Sequence, residues 1–223
     1  MSSSRMFPFI TKTWNPVVGC RHGCTYCWAR KLAEGKLKET KRYKTGFSPM
    51  FWPEELKKSF TAKDFVFVCD MGDLFGSWVP YWWIKEVLDA ISRIDATFLL
   101  LTKNPHRYFD FHIPKNCVCG ATIESDIDWH VTGAERPTYR LAEMKALAHP
   151  RKFIAVEPIQ DFNLDYFTER IIEIKPWAVA IGYDNYDNKL PEPSMAKTMQ
   201  LIDRLEKAGI TVYRKTLREA WNA

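Results

Sequence analysis

The chain contains the segment Gly19-Cys20-Arg21-His22-Gly23-Cys24-Thr25-Tyr26-Cys27, in which three residues separate the first two cysteines and two residues separate the last two. Three closely spaced thiolates can bind three corners of a cubane iron–sulfur cluster. No fourth cysteine lies nearby in the sequence, so the fourth iron would stay open to an external ligand. This incomplete ligand set, on a loop between a short apolar strand and a helix, favours chemistry at the cluster over electron storage.

The same cysteines are compatible with two other kinds of site. A zinc site is closed by four Cys or His ligands, and His22 could be the fourth, although one short loop would then have to surround the ion. The cysteines could also be structural thiols. Disulfides are disfavoured because a chain of 223 residues can bury an ample core without them. We also expect no secretory signal, since residues 1–5 are polar apart from Met1.

Composition limits the other classes of function. The formal net charge of +5 permits an anionic partner without requiring one. No run of about 18 apolar residues occurs, so we expect no membrane association. The number of free thiols predicts a reducing compartment, and therefore the cytoplasm.

Short apolar runs, typical of buried strands, alternate with helical patterns along the chain. The predicted strands are 16–18, 64–69, 96–101, 117–123, 152–156, 177–181 and 210–213, and the predicted helices are 27–39, 81–94, 138–148, 164–174 and 194–208. Continuous apolar strands separated by helices indicate a parallel sheet that is covered on both faces. Six or seven βα units are too few for a closed eight-fold barrel.

We therefore predict an α/β fold in the form of a partial (βα)6-7 TIM-like barrel. A single domain would cover residues 1–223, with an N-terminal extension at 1–13 and the C-terminal helix and last short strand within 184–223. The site of such a fold lies at the carboxyl ends of the parallel strands. The polar candidates at these ends are Met71-Gly72-Asp73, Lys103, Thr122, Glu124, Glu157, Tyr183-Asp184, Arg214 and Lys215.

Side-chain alternation divides the residues of the strand at 117–123 between two faces. If Thr122 and Glu124 point into the barrel, Cys117 and Cys119 face the helices. Free buried cysteine behaves as a small hydrophobic residue, so we assign these two and Cys69 to packing. An auxiliary cluster is the alternative interpretation.

The cysteine spacing, with the aromatic Tyr26 before the last cysteine, resembles the signature of the radical S-adenosylmethionine (SAM) superfamily. Further segments resemble a phage-associated subfamily of small radical SAM proteins of undefined function. These segments are Thr13-Trp14-Asn15-Pro16, Asp73-Leu74-Phe75, Leu101-Thr102-Lys103, Gly120-Ala121-Thr122-Ile123-Glu124 and Val156-Glu157-Pro158. The resemblance extends from Trp14 to Tyr183 and weakens after that.

The resemblance implies a [4Fe–4S] cluster bound by Cys20, Cys24 and Cys27, with SAM chelating the open iron through its amino and carboxylate groups. An external one-electron reductant would drive cleavage of SAM to methionine and a 5′-deoxyadenosyl radical, which abstracts a substrate hydrogen. Met71-Gly72-Asp73 is a degenerate version of the family's Gly-Gly-Glu-like stretch, which binds the methionine amino group. Further predicted SAM contacts are Thr122, Glu124 at a ribose hydroxyl, and Tyr183.

Three charged residues are our candidates for the catalytic role. Lys103, Glu157 and Lys215 follow different strands, and a barrel would bring them towards one cavity. Lone buried charges are costly, so these residues should either pair with one another or face a charged ligand. A pair between Lys103 and Glu157 is the structural alternative to a substrate site.

The segment 30–58 could identify the substrate. It has nine basic residues and four acidic ones, with Tyr43, Phe47, Phe51 and Trp52 among them. This composition suits a nucleic-acid groove, but it equally suits a solvated surface with aromatic anchors in the core. Two functions thus stay open. One is a radical SAM enzyme acting on an unidentified substrate such as a nucleic acid or another macromolecule, and the other is a non-catalytic zinc or iron–sulfur module that binds nucleic acid.

Overall fold

The structure is a computed structural model that describes residues 6–221. The strands are β1 Lys12–Trp14, β2 Val17–Val18, β3 Met50–Phe51, β4 Phe65–Val68, β5 Thr97–Thr102, β6 Cys117–Thr122, β7 Lys152–Val156, β8 Ala178–Ile181 and β9 Thr211–Arg214. The α-helices are α1 Trp28–Glu34, α2 Tyr81–Ser92, α3 Pro137–Ala146, α4 Leu164–Ile174 and α5 Met195–Lys207. Two short 3₁₀ helices lie at Pro53–Lys57 and Pro105–Asp110.

Seven of the strands form one sheet in the order β1-β4-β5-β6-β7-β8-β9. The pairs β1–β4, β4–β5, β7–β8 and β8–β9 are parallel. The predicted α/β fold with a parallel sheet is confirmed. Along the sheet the seven strands follow their order in the chain. Helix α2 lies in the connection from β4 to β5, and α3, α4 and α5 lie in the three connections from β6 to β9, since parallel strands require long connections.

The predicted strand before the cysteines exists as β2, but its predicted place in the parallel sheet was wrong. Val17 and Val18 pair antiparallel with Phe51 and Met50, outside the seven-stranded sheet. The sheet instead begins with β1, which lies beside β4 with Trp14 opposite Val68. Only one residue of β1 is buried, because it is a short edge strand, so it lacks the apolar run that identifies a central strand.

The chain divides into two compact units. The first consists of residues 9–119 and 132–134, and the second of residues 120–131 and 135–221 together with residues 6–8. Strand β6 begins in the first unit and ends in the second. The domain boundaries predicted from the sequence remain predictions. Residues 1–5 of the predicted extension at 1–13 and residues 222–223 lie outside the described residues, while Lys12 and Thr13 already belong to β1.

Local sequence explains where the helices lie. In α2 the residues Ile84, Val87, Leu88 and Ile91 recur at helical spacing and are buried. The helix after the cysteines ends at Gly35, short of the predicted residue 39, and the Gly35 N–H bonds the Lys31 carbonyl. Glycine is a poor residue for a helix interior and a frequent one at its end, and this explains the earlier stop.

A hydrophobic cluster in the first unit packs behind the cysteines. Its buried members are Val18, Ala29, Ala33, Tyr43, Phe47, Trp52 and Met71, and Cys20 and Cys27 pack against it. Three of the four aromatic residues of segment 30–58 thus belong to the core and are not available to stack on bases. Their role is to anchor the basic segment to the body of the unit.

Candidate functional site

The three cysteines lie on one loop, residues 19–27, which we call the cluster loop. It begins where β2 ends, and its last residue, Cys27, is the N-cap of α1. All three cysteines are free and partly buried. Gly19 opens the loop with a φ of +81°, and a Cβ there would lie 2.3 Å from the Ser48 carbonyl oxygen. Only glycine fits both the conformation and the space at this position.

Backbone N–H groups point at two of the three sulfur atoms of the cluster loop, those of Cys20 and Cys27. The His22 N–H donates to Cys20 Sγ at 3.5 Å, and the Arg30 N–H donates to Cys27 Sγ at 3.3 Å. Cys24 Sγ and the Thr132 hydroxyl are 3.2 Å apart. Donors of this kind stabilise a thiolate, since hydrogen bonds to the charged form favour it.

Two of the loop's thiols, those of Cys20 and Cys27, have raised pKa values in the absence of a cationic ligand. Burial raises the pKa of Cys20 well above its ordinary value, and the negative charge of Asp73 adds to this effect. Burial likewise raises the pKa of Cys27, although the Arg30 N–H opposes the shift. Bound iron would supply the positive charge that converts such thiols to thiolates.

The donor set and the directed N–H groups fit an iron–sulfur cluster. Within residues 6–221, no three His, Cys, Asp or Glu side chains are grouped closely enough to hold a metal ion. A cubane takes each thiolate on a different iron, so its protein ligands need not converge on one ion. Cys69, Cys117 and Cys119 are fully buried within the described part of the chain, as expected for packing residues.

The Met71-Gly72-Asp73 stretch follows β4 and lies directly against the cluster loop. The Gly19 N–H donates to the Met71 carbonyl at 2.9 Å, and Gly19 and Gly72 form a parallel bridge. A Cβ on Gly72 would lie 3.0 Å from the Gly19 carbonyl oxygen. The lack of a side chain at Gly72 therefore permits this close approach.

Asp73 is buried, and its carboxylate is held by several protein donors. It bonds His22 Nε2 at 2.8 Å, the Thr102 hydroxyl at 2.7 Å and the N–H groups of Lys103 and Phe75 at 2.9 and 3.0 Å. Burial by itself would raise the pKa of this carboxyl, but the bond and charge of His22 and the other donors hold it below its ordinary value.

Lys103 lies at the end of β5, and its side chain reaches the cluster loop. Its ammonium donates to the Tyr26 hydroxyl at 2.9 Å and lies 5.3 Å from the centre of the Tyr26 ring. Tyr26 directly precedes Cys27, so the predicted catalytic lysine contacts the residue next to a predicted cluster ligand. Sequence reasoning did not find this contact.

In the second unit, Glu124 forms a buried ion pair with Arg140. The distance from Arg140 Nη1 to Glu124 Oε2 is 2.9 Å, and both side chains are almost fully buried. Arg140 also donates to the backbone carbonyls of Thr122 and Glu135. The sequence placed Glu124 at an open rim, whereas here it has a protein partner; its role at the SAM ribose stays a prediction, and so does that of the partly buried Thr122.

Glu157 pairs with Lys215, which brings together two of the three predicted catalytic residues. The Lys215 ammonium lies 2.8 Å from Glu157 Oε2 and 4.7 Å from the centre of the Phe7 ring. Burial raises the pKa of Glu157, and the charge and hydrogen bond of Lys215 oppose that rise. The catalytic roles of these residues stay predictions.

Tyr183 is buried at the end of β8, and its hydroxyl is held by other residues of the second unit. It donates to the Pro193 carbonyl at 3.1 Å or to the Thr198 hydroxyl at 2.7 Å. Its predicted contact with SAM stays a prediction. The next residue, Asp184, is also buried and accepts hydrogen bonds from its own loop, including the Asn188 N–H at 2.6 Å.

Sequence reasoning missed the partners of the predicted site residues. His22 was considered only as a zinc ligand, and nothing suggested that Thr132 lies beside Cys24 or that Arg140 is fully buried. A helical pattern at 138–148 with an arginine on its buried face was the only available signal for Arg140. Pairing across such distances in sequence cannot be read from local spacing.

A family model described as a protein of unknown function, DUF5131, matches residues 5–217. The chain belongs to the DUF5131 family. No curated protein matches this sequence. The prediction of a phage-associated subfamily is not confirmed by these findings.

Solved structures of radical SAM enzymes share the fold of this DUF5131 protein. A spore photoproduct lyase mutant with bound AdoMet and dinucleoside spore photoproduct is 10% identical, with a TM-score of 0.61 over 98% of this chain and 81% of that chain. SuiB of Streptococcus suis bound to S-adenosylmethionine is 11% identical, with a TM-score of 0.54 over 93% of this chain and 50% of that chain. The chain thus spans about half the length of SuiB.

A structure of SuiB bound to the precursor peptide SuiA gives a TM-score of 0.55 at 12% identity, over 92% of this chain and 49% of that chain. These likenesses confirm the predicted fold class, an α/β fold of the partial TIM-barrel type. Among residues 6–221, no helix has the length and apolar character needed to cross a membrane.

We predict that Glu124→Gln lowers the free energy of unfolding by about 3 kcal/mol, because it leaves the buried Arg140 without a charged partner. Urea denaturation of the iron-free protein measures this change. The control is Glu206→Gln, which breaks a half-exposed pair with Arg214 at 2.9 Å in the same unit and should cost less than about 1 kcal/mol.

The same variant tests the predicted contact between Glu124 and the SAM ribose. Calorimetric titration showing that Glu124→Gln binds SAM as well as the parent would contradict that contact.

Proposed function

We propose that this DUF5131 protein is a radical SAM enzyme with a [4Fe–4S] cluster on Cys20, Cys24 and Cys27. The observation that carries the proposal is the cluster loop itself. Backbone N–H groups donate to the sulfur atoms of Cys20 and Cys27, and Cys24 Sγ shares a hydrogen bond with the Thr132 hydroxyl. The loop is hydrogen-bonded to the segment after β4, in a fold shared with solved radical SAM enzymes. The cytoplasm remains the predicted compartment, with an external one-electron reductant as partner.

When bound, the cluster and SAM would supply one-electron cleavage of SAM and a radical that abstracts hydrogen from substrate. The chain's own residues bind and orient these groups. The cysteines would hold the cluster, and the hydrophobic cluster behind Cys20 and Cys27 keeps that side of the loop in contact with the core. The stretch from Met71 to Asp73 is placed beside the loop, where the methionine part of SAM would bind through the backbone.

Lys103 is the proposed substrate-positioning cation among the charged candidates. Its bond to Tyr26 holds its ammonium at the cluster loop. Glu157 and Lys215 already neutralise each other, so a ligand that used either one would have to displace the other. For this reason we assign Lys103 the larger part in binding an anionic or polar substrate.

We propose a nucleic acid as the macromolecular substrate. The solved structures with the same fold hold a dinucleoside in one case and a precursor peptide in the other. Segment 30–58 has a net charge of +5 from nine basic and four acidic residues, which equals the net charge of the whole chain. This concentration of positive charge favours a polyanion, since basic side chains neutralise phosphates.

A non-catalytic metal module that binds nucleic acid is the competing function. The absorption spectrum of protein purified without oxygen distinguishes the two. A broad shoulder near about 400 nm, with iron and sulfide at cluster stoichiometry, supports the enzyme. Colourless protein with one bound zinc supports the module.

Alanine at any one cysteine of the cluster loop should abolish assembly of the four-iron cluster, because two thiolates cannot hold the cubane. Iron and sulfide analysis after anaerobic reconstitution measures the loss. The test variants are Cys20→Ala, Cys24→Ala and Cys27→Ala. The matched controls are the buried cysteines, in Cys69→Ala, Cys117→Ala and Cys119→Ala, which should retain the parent's iron. Equal loss of iron in both groups would contradict the ligand assignment.

Lys103→Met should spare SAM binding and uncoupled SAM cleavage while removing substrate-dependent hydrogen abstraction. Methionine keeps a side chain of similar length but loses the charge that would bind substrate. Transfer of deuterium from labelled substrate into 5′-deoxyadenosine measures the loss, and Lys115→Met, at an exposed position of the same unit, is the control. Deuterium transfer at the parent's rate would remove Lys103 from the substrate site.

Reversing two exposed charges of the basic segment should weaken the binding of a single-stranded oligonucleotide. The double variant Lys36→Glu with Lys44→Glu should also reduce the slope of log K against log salt by about 0.7 per lost phosphate contact. The control double variant is Lys63→Glu with Lys115→Glu, which reverses two exposed lysines of the same unit outside the segment. If both double variants weakened oligonucleotide binding equally, the net charge of the protein and not segment 30–58 would attract the nucleic acid, and the proposed surface would be wrong.

A further inference from the structure

A buried histidine lies between the first two cysteines of the cluster loop. His22 is 6% exposed, whereas its neighbours Arg21 and Gly23 are exposed. Its Nε2 lies 2.8 Å from Oδ2 of Asp73, which is itself 4% exposed. An imidazole buried to this extent needs a polar partner, and here the partner lies 51 residues further along the chain.

Asp73, to whose carboxylate His22 of the cluster loop is hydrogen-bonded, is itself held in place by other residues of the first unit. Besides His22, its carboxylate accepts hydrogen bonds from the Thr102 hydroxyl at 2.7 Å and from the N–H groups of Lys103 and Phe75. Thr102 is the last residue of β5, so these bonds tie the carboxylate to the end of a central strand. A carboxylate held by several donors on a sheet has little freedom to move.

His22 is held on its other sides as well. Its ring and the Trp78 ring form a T-shaped contact at a centroid distance of 4.7 Å and an interplanar angle of 77°. Its carbonyl accepts the Gly133 N–H at 2.6 Å, and its own N–H donates to Cys20 Sγ. The Thr132 hydroxyl donates to the same carbonyl at 3.4 Å and lies 3.2 Å from Cys24 Sγ. A displacement of His22 would therefore disturb the hydrogen bond to Cys20 Sγ and, through Thr132, the surroundings of Cys24 Sγ.

We infer that His22 and Asp73 are a positioning pair that sets where the cluster loop presents Cys20 and Cys24 to the iron–sulfur cluster. This inference rests on the proposed function. It gives Asp73 a role different from that of a SAM ligand, since the hydrogen bonds of its carboxylate go to protein groups. The backbone of the Met71-Gly72-Asp73 stretch, rather than this carboxylate, would then face the methionine part of SAM.

The test compares two variants of the same residue. His22→Ala removes the bond to Asp73, whereas His22→Gln keeps it, because the amide nitrogen of glutamine reaches the place of the histidine Nε2. The matched control is Asp126→Asn, which alters another buried carboxylate that bonds the backbone and side chain of Asn163 at 2.9 and 2.8 Å. Asp126 lies in the other unit and has no role in the cluster loop.

The first measurement uses the iron-free protein. Amide hydrogen exchange in residues 19–24 should be faster in His22→Ala by about tenfold, the effect of losing one hydrogen bond to a charged group. His22→Gln and Asp126→Asn should exchange at the parent's rate in this segment. Because no cluster is present, this result does not depend on the proposed function.

The second measurement uses the reconstituted protein. The reduction potential of the cluster and the electron paramagnetic resonance spectrum of its reduced form should change in His22→Ala and return to the parent's values in His22→Gln. If His22→Ala had the parent's amide exchange rate and the parent's reduction potential, the inference would be overturned and the proposed function would stand. A glutamine variant that behaves like the alanine variant would also overturn it, since packing against Trp78 would then be the cause. Failure of the parent to assemble a cluster would instead overturn the proposed function.

Discussion

The buried carboxylate of Asp73 is the constraint on which the candidate site depends. A buried charge is stable only when its hydrogen bonds are satisfied, and here the donors come from the cluster loop, the end of β5 and the turn after β4. Those donors are contributed by segments far apart in the chain. Satisfying this one group therefore fixes the cluster loop against the strand ends.

The basic segment 30–58 contributes to the same site through the hydrophobic cluster against which Cys20 and Cys27 pack. Its aromatic residues Tyr43, Phe47 and Trp52 are buried in the core that supports Cys20 and Cys27, while most of its lysines are exposed. Arg42 and Lys41 lie over the Trp52 ring, so cationic side chains cover the edge of this core. One stretch of sequence thus both supports the cluster loop and presents positive charge to solvent.

Two charged candidates of the second unit are held in ion pairs. Glu124 with Arg140 and Glu157 with Lys215 each join a residue at a strand end to one far away in sequence. Charged groups at strand ends are attractive candidates for ligand binding when the chain is read alone. Because each of these groups is already paired, a ligand can bind one of them only if its interaction is at least as favourable in free energy as that of the partner it displaces. This requirement makes such groups more selective than unpaired charges.

The sequence by itself determined the features that depend on neighbouring residues. The cysteine spacing gave the cluster loop, and apolar periodicity gave β7 and α4 with the bounds that the structure has. The tertiary structure decided what depends on contacts between distant segments. It placed Val17 and Val18 in a separate antiparallel pair, made β1 the edge of the sheet and joined His22 to Asp73. Hydrophobic periodicity and helix capping depend on residues only a few positions apart, so the sequence reveals them. Strand pairing and buried polar contacts form between distant segments, so they are decided only when the whole chain packs.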